Sequence, residues 1–357
     1  YRLQNLWNNK GIGVVARVQR GSHHALGTPN EINLLAVRRL VEDPHSSLDS
    51  IWEEFITETY GLSPDSPDYK LLKSILADTF PIRRKSHYVL GIWALEKGSD
   101  LPGDTGLGEF YDRGKMHKWD PDWEEIWNDL DVPDRETVLK IWQEGTETVV
   151  LAEDSLASFK ALSSLSEQHQ QDLERRLRHQ WYAARAWRAV ELYIWATRAK
   201  SKGNDFSDSP GWRRWAYQEL GEIASAMKAD GLADVALASP ARINQFRNAI
   251  AGGVPQDAEP AFPDELLFSP IRTTKVTSTS ATITFSVNRD ATVFVDYGLE
   301  IPDYGQTIEA GPVQTGEENE LQVPNLEPGQ RYVARLRAQY AASEHFGGDF
   351  WLFTPVE

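Results

Sequence analysis

The segment "LERRLRHQWYAARAWRAVELYI", residues 173–194, decides the fold class of the larger part of this chain. Its apolar residues recur every three or four positions, which places them on one face of an α-helix. These residues are Leu173, Leu177, Trp181, Ala184, Trp187, Val190 and Ile194. The spacing predicts a long helix with one buried face. Neighbouring segments have the same period, and together they predict an all-helical domain over residues 29–251.

The sequence period changes in the last quarter of the chain. The segments "TSATITFSV" (279–287), "ATVFVDYG" (291–298) and "RYVARLRAQY" (331–340) alternate apolar and polar residues, as half-buried β-strands do. We therefore expect an antiparallel β-sandwich over residues 268–357. Residues 252–267 are rich in Gly, Pro and acids and have no apolar period, which predicts a linker between the two domains.

Several helix ends can be predicted from single residues. Gly61 is expected to stop a helix, and the segment "PDSPDYKLLKSILADTF" (64–80) predicts a helix that ends before Pro81. Asp134 and Arg135 begin another long periodic stretch, and we expect Asp134 to cap that helix at its N-terminus.

The N-terminal segment "GVVARVQRGSHHALGTPNE" (13–31) predicts an apolar strand over residues 13–18, an exposed polar loop over residues 20–27 and then a helix start. A strand this short needs partners, because its backbone donors and acceptors must be paired. We interpret residues 1–28 as the last strand and loop of a (β/α)8 barrel, most of which would lie upstream of Tyr1. The predicted fold class is thus multidomain α + β: a short barrel strand, a helical bundle domain and an antiparallel β-sandwich.

Composition excludes several function classes. The chain of 357 residues has a formal net charge of −16, which disfavours a duplex nucleic-acid partner. It contains no cysteine, which rules out thiol catalysis and disulfides, and no apolar run reaches the ~20 residues that span a bilayer. We expect no cofactor and no metal ion, because neither a phosphate-binding loop nor a set of ligands at metal spacing is present.

The C-terminal region resembles a fibronectin type III domain. The segment "NLEPGQRYVARLRAQY" (325–340) has Leu326, Pro328 and Tyr332 where that family has its leucine-x-proline-to-tyrosine stretch. Phe285, in "TSTSATITFSV", stands where the family commonly has Trp, and "FWLFTP" (350–355) is similar to the family's last strand. The resemblance implies a β-sandwich with a tyrosine corner and no chemistry of its own.

The first two regions resemble the C-terminal part of α-glucuronidases of glycoside hydrolase family 67. The similar segments are "NEINLLAVRRLVEDPHSSLDSIWEEFITETYG" (30–61), "YVLG" (88–91), "YDRGKMHKWDPDW" (111–123) and "DRETVLKIWQEG" (134–145). The match is scattered over about two-thirds of the chain. It implies a (β/α)8 barrel followed by a helical domain. The catalytic carboxylates of that family lie on barrel strands that this sequence does not contain, so no catalytic acid or base is assigned.

The loop after the first strand is the first candidate site, because a barrel's active face lies at the C-terminal ends of its strands. Arg20 has the paired donors that bind a carboxylate such as a uronate. His23 and His24 have imidazoles suited to a sugar hydroxyl or to acid–base work, and Asn30 follows them. A solvated surface loop explains the same residues equally well.

The second candidate site is the segment around residues 98–122, which is rich in Gly, Asp and aromatic residues. Tyr111, Asp112, Arg113 and His117 have the mixed charge that is common at a pocket rim. An Asp112–Arg113 ion pair that fixes the loop to the helices is the other interpretation.

These observations predict the C-terminal portion of an extracellular or periplasmic carbohydrate-active enzyme, a glycoside hydrolase acting on a neutral or uronate-bearing poly- or oligosaccharide. Two alternatives stay open. One is a non-catalytic carbohydrate-binding or dimerisation module, with a homodimer formed through the helical domain. The other is a polysaccharide lyase, which uses Tyr, His and Arg instead of a carboxylate pair.

Overall fold

The computed structural model of the chain describes residues 19–20, 23–24, 28–93, 101–102, 123–235, 237–263, 266–269, 271–299, 304–340, 343–347 and 350–355. Within this part the chain is a mixed helical and β protein, with its larger antiparallel sheets in the C-terminal region. This confirms the coarse fold class predicted from the two sequence periods.

Eight α-helices lie in the described residues. They are α1 (Glu31–Glu42), α2 (Leu48–Tyr60), α3 (Pro67–His87), α4 (Trp123–Asp131), α5 (Arg135–Phe159), α6 (Glu167–Ser201), α7 (Ser209–Ala229) and α8 (Pro240–Ile250). The strands are β1 (Gln19–Arg20), β2 (His23–His24), β3 (Tyr88–Val89), β4 (Ile92–Trp93), β5 (Arg272–Val276), β6 (Ala281–Phe285), β7 (Ala291–Gly298), β8 (Gln306–Val313), β9 (Asn319–Val323), β10 (Arg331–Tyr340), β11 (Ser343–Phe346) and β12 (Phe350–Phe353).

The described residues form two compact units, of which the first takes α1, α2 and parts of α3, α5 and α6. Its core is a cluster of aliphatic and aromatic side chains from these helices and the connection after α5. The cluster contains Phe55, Ile56, Tyr60, Leu62, Tyr69, Leu72, Ile75, Leu76, Phe159, Leu162, Leu165, Leu173 and Leu177. At its edge the Asp68 carboxylate accepts the backbone N–H groups of Ser163 (3.0 Å) and Ser164 (2.7 Å).

The second unit takes residues 82–151 and 181–233 and the chain from residue 237 onward. Its helices are joined by side chains that bond to helix ends. Arg198 on α6 donates to the carbonyl of Leu130 (2.9 Å) and to Asp131 (2.6 Å) at the end of α4. The Tyr193 hydroxyl donates to the carbonyl of Ile250 at the end of α8 (3.2 Å). Such bonds satisfy carbonyl groups that a helix end leaves without an internal partner.

Two antiparallel sheets lie in the C-terminal part of the second unit. One has the strand order β5–β6–β9; the other has the order β11–β10–β7–β8, with β12 also paired to β10. Inward-facing residues of both sheets form a single core, which includes Ile283, Phe285, Val293, Val295, Tyr297, Val323, Tyr332, Leu336 and Leu352. The outward-facing Arg335 and Arg337 of β10 both contact the carboxylate of Asp296 on β7.

The predicted helix ends are partly right. Gly61 stops α2 with φ = 71°, and Asp134 accepts the backbone N–H of Thr137 (2.8 Å) at the start of α5. The expected end before Pro81 is wrong, because α3 continues through Pro81 to His87. Proline removes one backbone hydrogen bond but does not forbid the helix after it, and Ile82 and Ser86 beyond it are buried.

The N-terminal segment differs from the loop that was expected after residue 18. Arg20, His23 and His24 lie in the paired strands β1 and β2, with Arg20 opposite His23 and Gln19 opposite His24. Two residues separate these strands in the sequence, which is the spacing that hairpins favour. The strand predicted at residues 13–18 lies outside the described residues.

Residues predicted to form the linker contact the helices of the second unit. A short 3₁₀-helix spans Ala251–Gly253, and the backbone N–H of Ala261 donates to the carbonyl of Gly211 (3.2 Å). Arg214 on α7 donates to the side chain of Gln256 (2.6 Å). The domain boundaries at residues 28, 251 and 267 stay predictions.

Candidate functional site

The structure describes only half of the sequence-predicted site residues. Arg20, His23 and His24 lie on the β1–β2 hairpin, and Asn30 is exposed and precedes α1 without capping it through its side chain. The other four predicted residues lie outside the described part of the chain; these are Tyr111, Asp112, Arg113 and His117. The two predicted sites therefore stay predictions.

A groove that sequence reasoning missed lies between α5 and β11, within the second unit. Its cavity volume is about 60 Å³. Helix α5 and strand β11 supply most of its lining, and two leucines complete it. The lining residues are Glu136, Leu139, Lys140, Trp142, Gln143, Leu266, Leu267, Glu344, His345 and Phe346. We refer to it as the α5–β11 groove.

The charged side chains of the α5–β11 groove are paired with one another or with close neighbours. The Lys140 ammonium lies 3.2 Å from the Glu136 carboxylate one helical turn away. The Glu344 carboxylate lies 2.9 Å from the Arg337 guanidinium on β10. Because these cations already have carboxylate partners, the groove offers an anionic ligand little attraction.

Aromatic residues surround the inner wall of the groove. Trp142 contacts the ring of Trp215 edge-on (centroids 5.2 Å apart) and lies 6.3 Å from the ring of Phe262. The Arg188 guanidinium lies over Trp142, 4.6 Å from its ring centroid. Trp142 is 3% exposed, and its indole N–H has no hydrogen-bond partner among the described residues, whereas Phe262 is 52% exposed. A buried indole N–H ordinarily has a partner.

A buried polar cluster lies next to this wall, where α3, α5 and α6 meet; its members are Lys85, Gln143, Glu144, Glu147 and Glu191. We call it the acid cluster. Lys85 forms an ion pair with Glu147, whose side chain is 2% exposed. Burial acts to lower the pKa of Lys85, but the carboxylates of Glu147 and Glu144 outweigh it and raise that pKa. Gln143 donates its amide to Glu147 (3.0 Å) and to the backbone carbonyl of Phe268 (3.2 Å).

Burial raises the pKa values of two further carboxyl groups of the acid cluster. Burial raises the pKa of Glu144 to about 7, although the Lys85 charge and a hydrogen bond from the Leu90 N–H oppose that change. Glu191 is 3% exposed, and burial together with the nearby Glu144 raises its pKa well above the usual range. No described residue donates a hydrogen bond to the Glu191 carboxyl group. Carboxyl groups with such raised pKa values are typical of functional sites, although structural networks produce them too.

His87, at the end of α3, is a further buried titratable residue. Its ring meets the ring of Trp187 edge-on, with centroids 5.0 Å apart. Neither ring nitrogen has a hydrogen-bond partner among the described residues, and burial, helped by the charge of Arg83, lowers the pKa of His87 to about 3. His87 is therefore a neutral imidazole at physiological pH.

The sequence contained one signal for the acid cluster. Glu191 directly follows Val190 in the apolar repeat of α6 and lies one turn after Trp187, where a carboxylate is unexpected. Glu144 and Glu147 gave no such signal, because acidic residues on helices usually face solvent.

Nowhere in the described ranges do three His, Asp or Glu side chains come together as a metal site would require. The described helices include none that is both long and apolar enough to cross a membrane.

Comparisons with known proteins give no family for the chain. No family model matches it, and no curated protein matches it. A computationally redesigned β-sandwich protein is 20% identical, with 24% of this chain and 90% of that chain covered and a TM-score of 0.21. The short form of the sensor domain of the anti-sigma factor RsgI4 from Pseudobacteroides cellulosolvens is 14% identical, with 26% and 95% covered and a TM-score of 0.20. TM-scores this low support no inference about fold or function.

Proposed function

We propose that this chain is the C-terminal portion of a carbohydrate-active enzyme and that it binds an oligosaccharide in the α5–β11 groove. The observation that carries this proposal is the lining of the groove, which combines amide, imidazole, ammonium and carboxylate side chains with the aromatic residues Trp142 and Phe346. Sugar hydroxyls both donate and accept hydrogen bonds, so they match such a mixed rim.

The charges of the groove favour a neutral sugar over a uronate. Lys140 is engaged by Glu136 and Arg337 by Glu344, so a bound carboxylate would compete with protein carboxylates for each cation. The net charge of −16 acts in the same direction at longer range. The uronate recognition that the sequence predicted depends instead on Arg20.

The proposal includes a role for each part of the chain. The C-terminal sheets are proposed to form a fibronectin type III-like β-sandwich, and the backbone N–H of Glu327 donating to the Tyr332 hydroxyl (2.8 Å) supports the expected tyrosine corner. We place the catalytic carboxylates of the glycoside hydrolase outside this chain. The proposed location is extracellular or periplasmic.

Calorimetric titration tests the groove. A neutral xylo-oligosaccharide should bind more tightly than an oligogalacturonate of equal length. His345→Ala and Lys140→Ala should each weaken neutral-sugar binding by about 3–10-fold, the scale of one hydrogen bond. Lys275→Ala on β5 is the matched control, because Lys275 is exposed and lies outside the groove. Equal binding by all variants, or no binding by any, contradicts the proposal.

The two alternative functions give different results in the same preparation. A polysaccharide lyase would release unsaturated products that absorb in the ultraviolet, without a carboxylate pair. A dimerisation module would sediment as a dimer and bind none of the sugars. Either outcome without sugar affinity at the groove replaces the proposed function.

A further inference from the structure

The β3–β4 hairpin is held by a side chain of a neighbouring helix. The strands are two residues each, with Tyr88 opposite Trp93 and Val89 opposite Ile92. At the turn, the backbone N–H of Leu90 donates to Oε2 of Glu144 on α5 at 2.8 Å. A ladder of two residues per strand is weak by itself, so this external bond is a substantial part of what fixes the turn.

The turn also has an unfavourable backbone conformation. Leu90 has φ = 49°, in the left-handed region that branched and bulky residues rarely adopt, and Gly91 follows with φ = 83°. Strained residues persist only where surrounding contacts hold them. The Glu144 carboxylate is one such contact, and its strength depends on its charge, since a carboxylate accepts a stronger hydrogen bond than a neutral carboxyl group does.

Charged and titratable groups face Glu144 from all three packed helices. Arg84 and Lys85 belong to α3, Glu147 to α5 and Glu191 to α6. Gly145 follows Glu144 on α5, and a Cβ atom placed on it would lie 2.9 Å from the Cγ atom of Arg188 on α6. The two helices are therefore close together at the level of Glu144. Glu144 thus interacts with two cations of α3 and with two other carboxyl groups. Binding of one proton to Glu144 removes its charge and therefore changes its electrostatic interaction with each of these groups.

We propose that Glu144 is a proton-binding site. Its protonation state controls the strength of the hydrogen bond that holds the β3–β4 hairpin against helix α5. In the ionised state Glu144 accepts a charge-assisted hydrogen bond from Leu90 and attracts Lys85. In the protonated state the charge is lost, the bond to Leu90 weakens, and the hairpin loosens. Glu191 stays protonated in both states, because burial raises its pKa well above the usual range.

The pKa of Glu144 places this change near neutral pH. Burial raises that pKa to about 7. The hydrogen bond from the Leu90 N–H to Glu144 therefore holds the hairpin more firmly above pH 7 than below it. The hairpin directly precedes residues 94–122 in the sequence, which contain the predicted site residues Tyr111, Asp112, Arg113 and His117. The inference does not depend on carbohydrate binding in the α5–β11 groove.

Amide NMR of the full chain tests the proposal. The Leu90 amide proton should shift downfield as pH rises, with a midpoint near 7, and its hydrogen exchange, corrected for intrinsic chemistry, should slow at least threefold across that range. Glu144→Gln keeps an acceptor oxygen but cannot ionise, and it should abolish the titration while leaving the fold intact. Glu153→Gln, at an exposed position on α5, should retain it.

Glu191→Gln separates the two carboxyl groups. Because glutamine mimics a protonated glutamate, the midpoint at Leu90 should stay within about half a pH unit of that of the parent chain. A large fall in the midpoint would mean that Glu191 is charged in the parent chain and would overturn its assigned role. A Leu90 amide that does not titrate between pH 6 and 8, or one that titrates equally in Glu144→Gln, would overturn the proposal itself.

Discussion

The amide of Gln143 joins the backbone carbonyl of Phe268 (3.2 Å) to the carboxylate of Glu147 (3.0 Å). One side chain on α5 therefore links the residues that lead into the C-terminal sheets with a buried ion pair of the helices. Gln143 is 4% exposed, so water does not readily replace either bond. The groove on one side and the acid cluster on the other share this residue.

Replacing Gln143 by leucine should destabilise the second unit by about 2–3 kcal/mol. The substitution keeps a similar volume but leaves a buried carbonyl and a buried carboxylate each without one donor, and that loss is costly. The measurement is urea unfolding followed by tryptophan fluorescence. Gln218→Leu on α7 is the matched control, because Gln218 is exposed, and it should change stability by less than about 0.5 kcal/mol. Equal effects of the two changes would contradict the assigned role of Gln143.

The two tryptophans of the α6 repeat should differ in importance. Trp187 is 2% exposed, so Trp187→Ala should cost about 3–5 kcal/mol of stability. Trp181 is only half-buried, and the Arg185 guanidinium lies over its ring at 4.9 Å. Trp181→Ala should therefore cost about half as much. Chemical unfolding of both variants measures the difference; a change in sugar affinity without a change in Tm would instead assign either residue to binding.

How far the sequence predicted this molecule depends on which interactions decide each feature. The apolar period of α6 was sufficient, since Leu173, Leu177 and Val190 are all buried. The helix end expected before Pro81 failed because tertiary packing outweighs the one hydrogen bond that proline removes. The acid cluster could not be predicted, because it depends on α3, α5 and α6 meeting in space, and local periodicity does not encode which helices become neighbours.

The tyrosine corner should contribute measurably to the C-terminal sheets. Tyr332 is 5% exposed, and its hydroxyl accepts the backbone N–H of Glu327 at 2.8 Å. Tyr332→Phe removes only this bond, so stability should fall by about 0.5–1.5 kcal/mol. Tyr340→Phe, at a half-exposed position on the same strand, is the control. Thermal unfolding of both variants gives the comparison, and a Tm unchanged in Tyr332→Phe would remove the corner as a source of stability.

His87 should make the free energy of unfolding fall in acid. Its pKa is lowered to about 3 in the folded chain, against 6.5 for an ordinary histidine. Between these two values the unfolded chain binds a proton that the folded chain does not. Stability from this residue is therefore fully present above about pH 6.5 and is lost as pH falls toward 3, by an amount on the order of 3–5 kcal/mol.

Glu144 changes the free energy of unfolding in the opposite direction over part of this pH range. Two variants separate its contribution from that of His87. Its pKa is raised from 4.5 to about 7, so its contribution is complete below pH 4.5 and declines as pH rises toward 7. The free energy of unfolding is measured by urea unfolding as a function of pH. In His87→Phe it should no longer fall as the pH drops below 6.5, which is the acid limb of the curve. In the same variant it should decline as the pH rises from 4.5 to 7. Adding Glu144→Gln should make that decline smaller, and the part that remains comes from Glu191, whose pKa is also raised. His45→Phe, at an exposed position, should reproduce the parent curve. An acid limb that persists in His87→Phe would show that other groups cause it and that the buried imidazole is not the titrating residue.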